Sequence, residues 1–137
     1  MSLLYIDSSA YLKRYFAEED SDECEEIISR FTHHCISNIG VTEIFITLGN
    51  RLGARDQLLA SRLFEAELAG LNVIAFDDQI SSDAVSVSGG KNLPTLDSIH
   101  IASALKFKSQ EITFLTYDRS QGLAAKRSGL KTLGAVS

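Results

Sequence analysis

Short apolar segments alternate with helical segments along the whole sequence, and this alternation limits the fold more than any other feature does. No tight hairpin turn joins two apolar segments, so consecutive strands are expected to run parallel and to be connected through helices. The sequence therefore predicts an α/β fold, a parallel sheet with helices on both faces. The predicted strands are 3–6, 35–37, 72–76, 112–116 and 130–133, and the predicted helices are 8–17, 22–31, 41–52, 56–69, 79–88, 96–106 and 123–128.

The chain has 137 residues, which favours one domain over residues 1–137. Its hydrophobic fraction of 45% is enough for a core that needs no metal or disulfide. The two cysteines, Cys24 and Cys35, form no paired C-x-x-C motif, which argues against a structural zinc site and suits a reducing compartment. Residues 1–7 lack the basic start of a signal peptide, and no apolar stretch approaches the roughly 20 residues that span a bilayer. We expect a cytoplasmic protein without a membrane segment.

The net charge of −5 argues against a nucleic-acid partner when it is taken over the whole chain. Seven of the acidic residues, however, lie within residues 18–26, where no lysine or arginine occurs. The rest of the chain has 11 acidic and 13 basic residues, so local charge is a better guide than the total. We call the seven residues the acidic cluster: Glu18, Glu19, Asp20, Asp22, Glu23, Glu25 and Glu26.

Four other acidic residues fall where the carboxyl ends of the strands are expected. Asp7 and Asp118 follow the first and the fourth predicted strands. Glu43 lies in the first turn of the helix after the second strand, and Asp97 lies in the first turn of the helix after Pro94. Ligands bind outside the carboxyl ends of the strands in open parallel sheets, so one edge of the sheet is expected to bring these four acids together.

Capping and metal binding both explain acids at these positions. Any one of them can cap a helix, which stabilises it by about 0.3–2 kcal/mol. Two carboxylates about 4 Å apart, however, repel each other by roughly 4 kcal/mol, so gathering four requires protons, cationic side chains or a metal. Oxygen-only ligands favour Mg²⁺ or Mn²⁺ over zinc. We therefore expect the carboxylates of Asp7, Asp97 and Asp118 to converge within a few ångströms.

The order of four short motifs resembles that of the PIN-domain family, and most closely the VapC-like ribonuclease toxins of prokaryotic toxin–antitoxin pairs. The separations between successive acids are 36, 54 and 21 residues, and the resemblance runs from the first strand to the Gly129-Leu130 tail. The motifs are Ile6-Asp7-Ser8-Ser9, Glu43 early in a helix, Leu93-Pro94-x-x-Asp97-x-x-His100-Ile101-Ala102, and Thr116-x-Asp118-Arg119.

The resemblance implies a three-layer α/β/α Rossmann-like sandwich with a mostly parallel central sheet. It also implies an enzyme, a Mg²⁺- or Mn²⁺-dependent endoribonuclease that hydrolyses RNA phosphodiester bonds. All four acids of the family pattern are present at Asp7, Glu43, Asp97 and Asp118, so nothing indicates an inactive site. The partners implied are an RNA substrate, a small cognate antitoxin and a second copy of the chain.

Roles for individual residues follow from this chemistry. Asp7, Asp97 and Asp118 are the expected metal ligands, directly or through water. Glu43 either ligates the metal or orients or deprotonates the attacking water. Hydroxyls close to the acids in sequence can donate hydrogen bonds to the carboxylates, and basic residues can bind RNA phosphates. The hydroxyl candidates are Ser8 and Thr116; the candidates for RNA contact are Lys13, Arg14, Lys91, Arg119 and His100, which can alternatively hold an acid.

Three other functions remain open at this stage: a housekeeping PIN nuclease in RNA processing, a receiver-like signalling domain with an acidic Mg²⁺ pocket, and a non-catalytic interaction module. Asp77 and Asp78 also follow a strand, but the third strand is expected at a sheet edge, so we interpret them as caps. Spare apolar surface is expected on the first and third helices, where a second copy and the antitoxin would bind.

Overall fold

Five parallel strands form the central sheet of the computed structural model, which describes residues 2–137. The spatial order of the strands is β3-β2-β1-β4-β5, so β3 and β5 are the edges. The parallel sheet and the edge position of the third strand are confirmed. The strands are β1 (Leu3–Ile6), β2 (His33–Ser37), β3 (Leu71–Ile74), β4 (Thr113–Thr116) and β5 (Lys131–Gly134).

Helices cover both faces of this sheet, which confirms the three-layer α/β/α architecture. Helices α1 to α4 pack on one face and α5 to α7 on the other. No helix within residues 2–137 combines the length and the apolar character needed to cross a membrane. The helices are α1 (Ser8–Leu12), α2 (Ser21–Ser29), α3 (Asn38–Arg51), α4 (Ala54–Leu68), α5 (Asp78–Ser88), α6 (Thr95–Leu105) and α7 (Arg119–Arg127), with a 3₁₀ turn at Lys108–Gln110.

The side chains of β1 pack into two hydrophobic cores, one on each face of the sheet. Leu3 and Tyr5 belong to the core under α5, α6 and α7, whereas Leu4 and Ile6 belong to the core under α1 to α4. Successive side chains of a strand point to opposite faces, so a strand that is covered on both faces must be apolar throughout. All four residues of β1 are buried, which explains the continuous apolar sequence of this segment.

The strand order creates a switch point between β1 and β4. The chain passes from β1 to β2 to β3 in one direction, and then crosses over to β4 and β5 on the other side of β1. Sheets of this kind bind ligands in the crevice at the carboxyl ends of the two strands where the direction reverses. The order also differs from the 2-1-3-4-5 order of receiver domains, so the receiver-like alternative is wrong.

Three helix boundaries differ from the sequence-based prediction by more than two residues. Helix α1 ends at Leu12 and not at residue 17, because Tyr15 and Phe16 turn to pack against the core under α3 and α4. Helix α3 begins at Asn38, where the Ser37 hydroxyl caps it, so Glu43 lies in its second turn and not in its first. Helix α7 begins at residue 119, directly after the fourth strand, four residues earlier than predicted.

The predicted spare apolar surface on the first helix is also wrong. Tyr11 is fully buried against the ring of Phe64, and Leu12 is buried with it. Exposed apolar side chains lie on α3, as expected, and on α4, where two adjacent leucines are followed by a third four residues later. These exposed side chains are Ile46 on α3 and Leu58, Leu59 and Leu63 on α4, and we call them the α3/α4 patch.

Candidate active site

The four predicted acids surround the switch point between β1 and β4. Asp7 follows β1 directly and caps α1, and Asp118 follows β4 and caps α7. Asp97 lies in the first turn of α6. Glu43 reaches the same end of the sheet from the second turn of α3, the helix that follows β2. The four acids therefore come from the ends of the neighbouring strands β1 and β4 and from helices α3 and α6.

Asp7 is buried and held by three hydrogen-bond donors. Its carboxylate accepts the Ala10 backbone N–H at 2.7 Å, the Ser9 hydroxyl at 3.0 Å and the Thr116 hydroxyl at 3.1 Å. Burial raises the pKa of Asp7 above its usual value, while these hydrogen bonds act in the opposite direction. Helix capping explains only the contact of Asp7 with Ala10. The fold also buries the Asp7 carboxyl group, and the hydrogen bonds around it do not fully offset its loss of hydration.

Glu43 is held through only one of its oxygens. Ser8 Oγ donates to Glu43 Oε1 at 3.0 Å, and His100 Nε2 lies 2.7 Å from the same oxygen. Within residues 2–137, no group donates a hydrogen bond to Glu43 Oε2. One oxygen of Glu43 is therefore fixed by the protein and the other is free to bind a water molecule or a cation.

His100 is buried, and both of its ring nitrogens are occupied. Nε2 contacts Glu43, and Nδ1 lies 2.6 Å from the hydroxyl of Tyr5. The side chain is 2% exposed, so it cannot reach RNA, and the prediction that His100 contacts RNA is wrong. His100 holds the acidic residue Glu43 instead. Tyr5 was missed because a tyrosine within an apolar strand is indistinguishable from a core residue by sequence.

Asp97 and Asp118 line a cavity of about 400 Å³ together with Lys91 and Arg127. The pKa of Asp97 is raised to about 6, first by burial and then by the negative charges of Asp118 and Asp7. Asp118 and Asp7 are therefore near enough to Asp97 for their charges to act on it. A larger cavity of about 750 Å³ lies at the beginning of the strands, next to Leu3, and none of the four acids lines it.

The expected close convergence of three carboxylates is not present. Within residues 2–137, no three acidic, histidine or cysteine side chains form a ready-made metal site. Asp7 and Asp118 each direct one oxygen to the N-terminus of a helix, where they accept the backbone N–H of Ala10 and of Gln121. Within the same residues, the ion pairs include none with Asp7, Asp97 or Asp118, so no basic residue pairs directly with these three carboxylates.

The predicted RNA-binding cations divide into two groups. Arg14 pairs with Glu25 and Glu67, and Lys13 pairs with two acids of the acidic cluster, so both neutralise negative charge on the α1 side. Lys91 and Arg119 are exposed on the other side of the switch point.

The sequence-based reasoning missed Arg127, which lies nine residues after Asp118 and shares the acid-lined cavity with Lys91. A second cavity also has both cations in its wall and extends toward the carboxyl end of α5. The two cavities together form a path that has acids at one end and free cations along its length.

Two further sequence predictions concern residues next to the acids. Thr116 Oγ1 contacts Asp7 and also lies 2.7 Å from Oε1 of the buried Gln121, which the sequence analysis did not single out. Asp77 caps α5 by accepting the Ile80 N–H, and it pairs with Lys106. The interpretation of Asp77 as a cap at the edge strand is therefore confirmed.

Residues 4–127 match the sequence model of the PIN domain family, which is most of the chain. The chain belongs to the PIN domain family. This result confirms the resemblance that the four motifs indicated and agrees with the parallel five-stranded sheet. No curated protein matches the chain at a significant level.

Solved structures with the same fold include components of toxin–antitoxin systems. The chain is similar to FitAcB from Neisseria gonorrhoeae, at 15% identity and a TM-score of 0.76, covering 96% of this PIN domain and 97% of that chain. It is similar to VapBC2 from Rickettsia felis bound to a promoter DNA fragment, at 13% identity and a TM-score of 0.69 over 96% and 98% of the two chains. It is also similar to Mycobacterium tuberculosis VapC20, a sarcin–ricin loop cleaving toxin, at 14% identity and a TM-score of 0.67 over 93% and 95%.

Proposed function

We propose that this PIN domain is a Mg²⁺- or Mn²⁺-dependent endoribonuclease and the toxin of a toxin–antitoxin pair. The observation that carries the proposal is the negative charge that three carboxylates bring to the switch point. Asp97 has a pKa raised to about 6 by burial and by Asp118 and Asp7, yet none of the three forms an ion pair within residues 2–137. A site that concentrates negative charge in this way is suited to a divalent cation.

The residues present fit such a cation. All four acids offer carboxylate oxygens, the ligands that Mg²⁺ and Mn²⁺ prefer, and no cysteine lies among them. Asp97 and Asp118 share a cavity large enough for an ion with its water molecules, and Asp7 is the third expected ligand. Bound Mg²⁺ or Mn²⁺ would supply positive charge at the scissile phosphate and would make water a stronger acid.

Each residue of the chain then has a definable task. Asp7 stays in place because Ala10, Ser9 and Thr116 hold its oxygens. Glu43 offers its free Oε2 to the attacking water, which it orients or deprotonates, or it serves as a fourth ligand. The rate advantage comes from the placement of charge and of the reacting groups before the reaction begins.

The RNA backbone is proposed to cross the cavity that Lys91 and Arg127 line. Neither cation forms an ion pair within residues 2–137, so both can bind phosphates. Arg119, at the start of α7, is a third candidate on the same side. The opposite side presents the acidic cluster, which repels RNA, and Arg14 is already paired there.

The toxin assignment rests on the similar solved structures. One of them is a toxin–antitoxin complex from Klebsiella pneumoniae, and one is a toxin that cleaves the sarcin–ricin loop. We propose that a small antitoxin binds this chain, and that the exposed α3/α4 patch joins two copies of it. A housekeeping nuclease in RNA processing is the second candidate, and it would have no antitoxin.

RNA cleavage by the purified protein tests the enzymatic part. We expect cleavage with Mg²⁺ or Mn²⁺ and none with EDTA. Asp97→Asn should lose the activity, whereas Asp77→Asn should keep it, because Asp77 caps a helix at the far edge of the sheet. Cleavage that survives EDTA, or an Asp97→Asn variant with the wild-type rate, would contradict the proposal. A protein that binds RNA without cutting it would instead be an interaction module.

Co-expression with a small open reading frame next to the gene tests the toxin part. We expect the small protein to copurify with the chain and to inhibit cleavage, and we expect sedimentation to show an assembly with more than one copy. An active nuclease that binds no neighbouring gene product would support the housekeeping role. A strict monomer at high concentration would contradict the proposed role of the α3/α4 patch.

A further inference from the structure

A buried chain of hydrogen bonds runs from the backbone of β2 to Glu43. The Ser37 N–H donates to the Tyr5 hydroxyl oxygen at 3.0 Å, and the Tyr5 hydroxyl lies 2.6 Å from His100 Nδ1. His100 Nε2 lies 2.7 Å from Glu43 Oε1. Ser37, Tyr5 and His100 are all buried, so solvent does not compete for these contacts. The chain joins three elements, β1, α3 and α6, with the end of β2.

The donors and acceptors in this chain fix the tautomer of His100. The Glu43 carboxylate can only accept a hydrogen bond, so Nε2 of His100 must carry a proton. The Tyr5 hydroxyl, whose oxygen accepts the Ser37 N–H, can then give its own proton to an acceptor. Nδ1 of a neutral imidazole is that acceptor only when the ring proton is on Nε2. Nε2–H then donates to the Glu43 carboxylate. The other tautomer would place a lone pair of Nε2 against a carboxylate oxygen, with no proton between them.

The surrounding packing holds both rings in position. The Tyr5 ring stacks on Phe114 with 5.2 Å between the ring centroids. The His100 ring lies against Gly40 of α3, where an added Cβ would stand 2.9 Å from His100 Cε1 and 2.9 Å from Ile36 Cγ1. A glycine within a helix is unfavourable for the helix itself, and here it makes room for the imidazole.

We propose that Tyr5 and His100 are positioning residues that fix Glu43 with Oε1 held by the protein and Oε2 free for the attacking water. This inference rests on the proposed nuclease function. Ser8 and His100 donate to the same oxygen, so the carboxylate is held from one side only. A carboxylate fixed in this way needs no reorientation during the reaction, which is the advantage of a preorganised group.

Nitrogen NMR of the His100 ring tests the hydrogen-bond chain without any measurement of activity. We expect a single neutral tautomer with the proton on Nε2, and a proton signal protected from exchange with water. Tyr5→Phe should broaden that signal, because Nδ1 loses its donor and the ring is held less firmly. A proton on Nδ1, a mixture of tautomers in the wild-type protein, or a signal unchanged by Tyr5→Phe would overturn the inference.

Single-turnover cleavage of RNA tests the effect on Glu43. We expect His100→Leu to lower the rate about 10- to 100-fold, the usual cost of losing a group that orients a functional residue, with little change in RNA affinity. His100→Gln keeps an N–H donor and should retain more activity than His100→Leu, although leucine suits an apolar core better. A purely structural role predicts the reverse order, and that order would overturn the inference.

Two further variants show whether the effect passes through Glu43. Tyr5→Phe should slow cleavage in the wild-type background but not in the Glu43→Gln background, since it acts only through that carboxylate. Cys35→Ala is the packing control, because Cys35 is buried in the same core and is the β2 neighbour of Tyr5, while its side chain takes no part in the hydrogen-bond chain. Equal effects of Tyr5→Phe in both backgrounds would overturn the inference. If no variant and no wild-type protein cleaves RNA, the proposed function fails while the NMR result still decides the positioning chain.

Discussion

Removal of one negative charge at Asp97 should stabilise the metal-free protein. The pKa of Asp97 rises from 3.8 to about 6 in the fold, first through burial and then through the charges of Asp118 and Asp7. A shift of this size corresponds to about 3 kcal/mol for a fully buried group. Asp97 is partly exposed, so solvent screening reduces the effect to about 1 kcal/mol. For a chain of 137 residues, Asp97→Asn should therefore raise the Tm by about 3 °C at pH 7 in EDTA.

The pH dependence of this gain has a definite sign. A carboxyl group whose pKa is higher in the folded state than in the unfolded state binds more protons when folded, so stability falls as the pH rises between about 4 and 6. The Tm advantage of Asp97→Asn should thus be largest at pH 7, should shrink as the pH falls through 6 and 4, and should disappear only at about pH 3, below both pKa values, where the wild-type carboxyl is protonated in both states. Thermal unfolding followed by circular dichroism across this range measures it.

Asp77→Asn is the matched control for this experiment. Asp77 has a lowered pKa, chiefly through its hydrogen bond with Lys106, so removal of its charge should lower the Tm. Mn²⁺ should raise the Tm of the wild-type protein and of Asp77→Asn but should have little effect on Asp97→Asn. A decrease in Tm for Asp97→Asn in EDTA at pH 7 would refute the reasoning that burial and the charges of Asp118 and Asp7 make the ionised Asp97 carboxylate unfavourable.

Two other predictions concern the RNA path and the packing around His100. Lys91→Ala and Arg127→Ala should each weaken RNA binding and lower the slope of its salt dependence by about 1, while Arg62→Ala on α4 should not; equal slopes in all three variants would contradict the path. Gly40→Ala should cost about 1–2 kcal/mol and slow cleavage, because the added Cβ meets His100, whereas Gly49→Ala on the same helix meets only the flexible Gln57 side chain and should be tolerated.

The fold was predictable because each of its determinants is local. A continuous apolar segment such as residues 3–6 predicts a strand that is buried on both faces. No tight turn joins two such segments, which predicts that the strands run parallel. The end of α1 was not predictable, because the aromatic spacing continues past Leu12. Tyr15 leaves the helix to pack edge-on against Phe64, a residue that lies in α4. Tertiary packing therefore overrides the local helical pattern there.

Of the candidate site, only the acidic residues could be predicted reliably from the sequence. Their placement after strands is a local feature, but the residues that hold them depend on contacts across the chain. Tyr5 and His100 are 95 residues apart in sequence, and their hydrogen bond forms only when β1 packs against α6. Arg127 and Lys91 meet only because α7 folds beside the loop before α6. The early start of α7 was missed because residues 119–122 contain no apolar side chain.

The cleavage rate of Asp7→Asn tests the central claim most directly, because this change separates capping from charge. Asparagine caps a helix as well as aspartate does, so the bond from Ala10 N–H should remain and α1 should stay folded. The Asp7 carboxyl group is buried and its pKa is raised, so removal of its negative charge should leave the metal-free protein as stable as the wild type or slightly more stable. The account predicts that Mn²⁺ affinity and RNA cleavage fall together by orders of magnitude. An Asp7→Asn variant that cuts RNA at the wild-type rate would show that Asp7 is only a cap and that the active site is elsewhere.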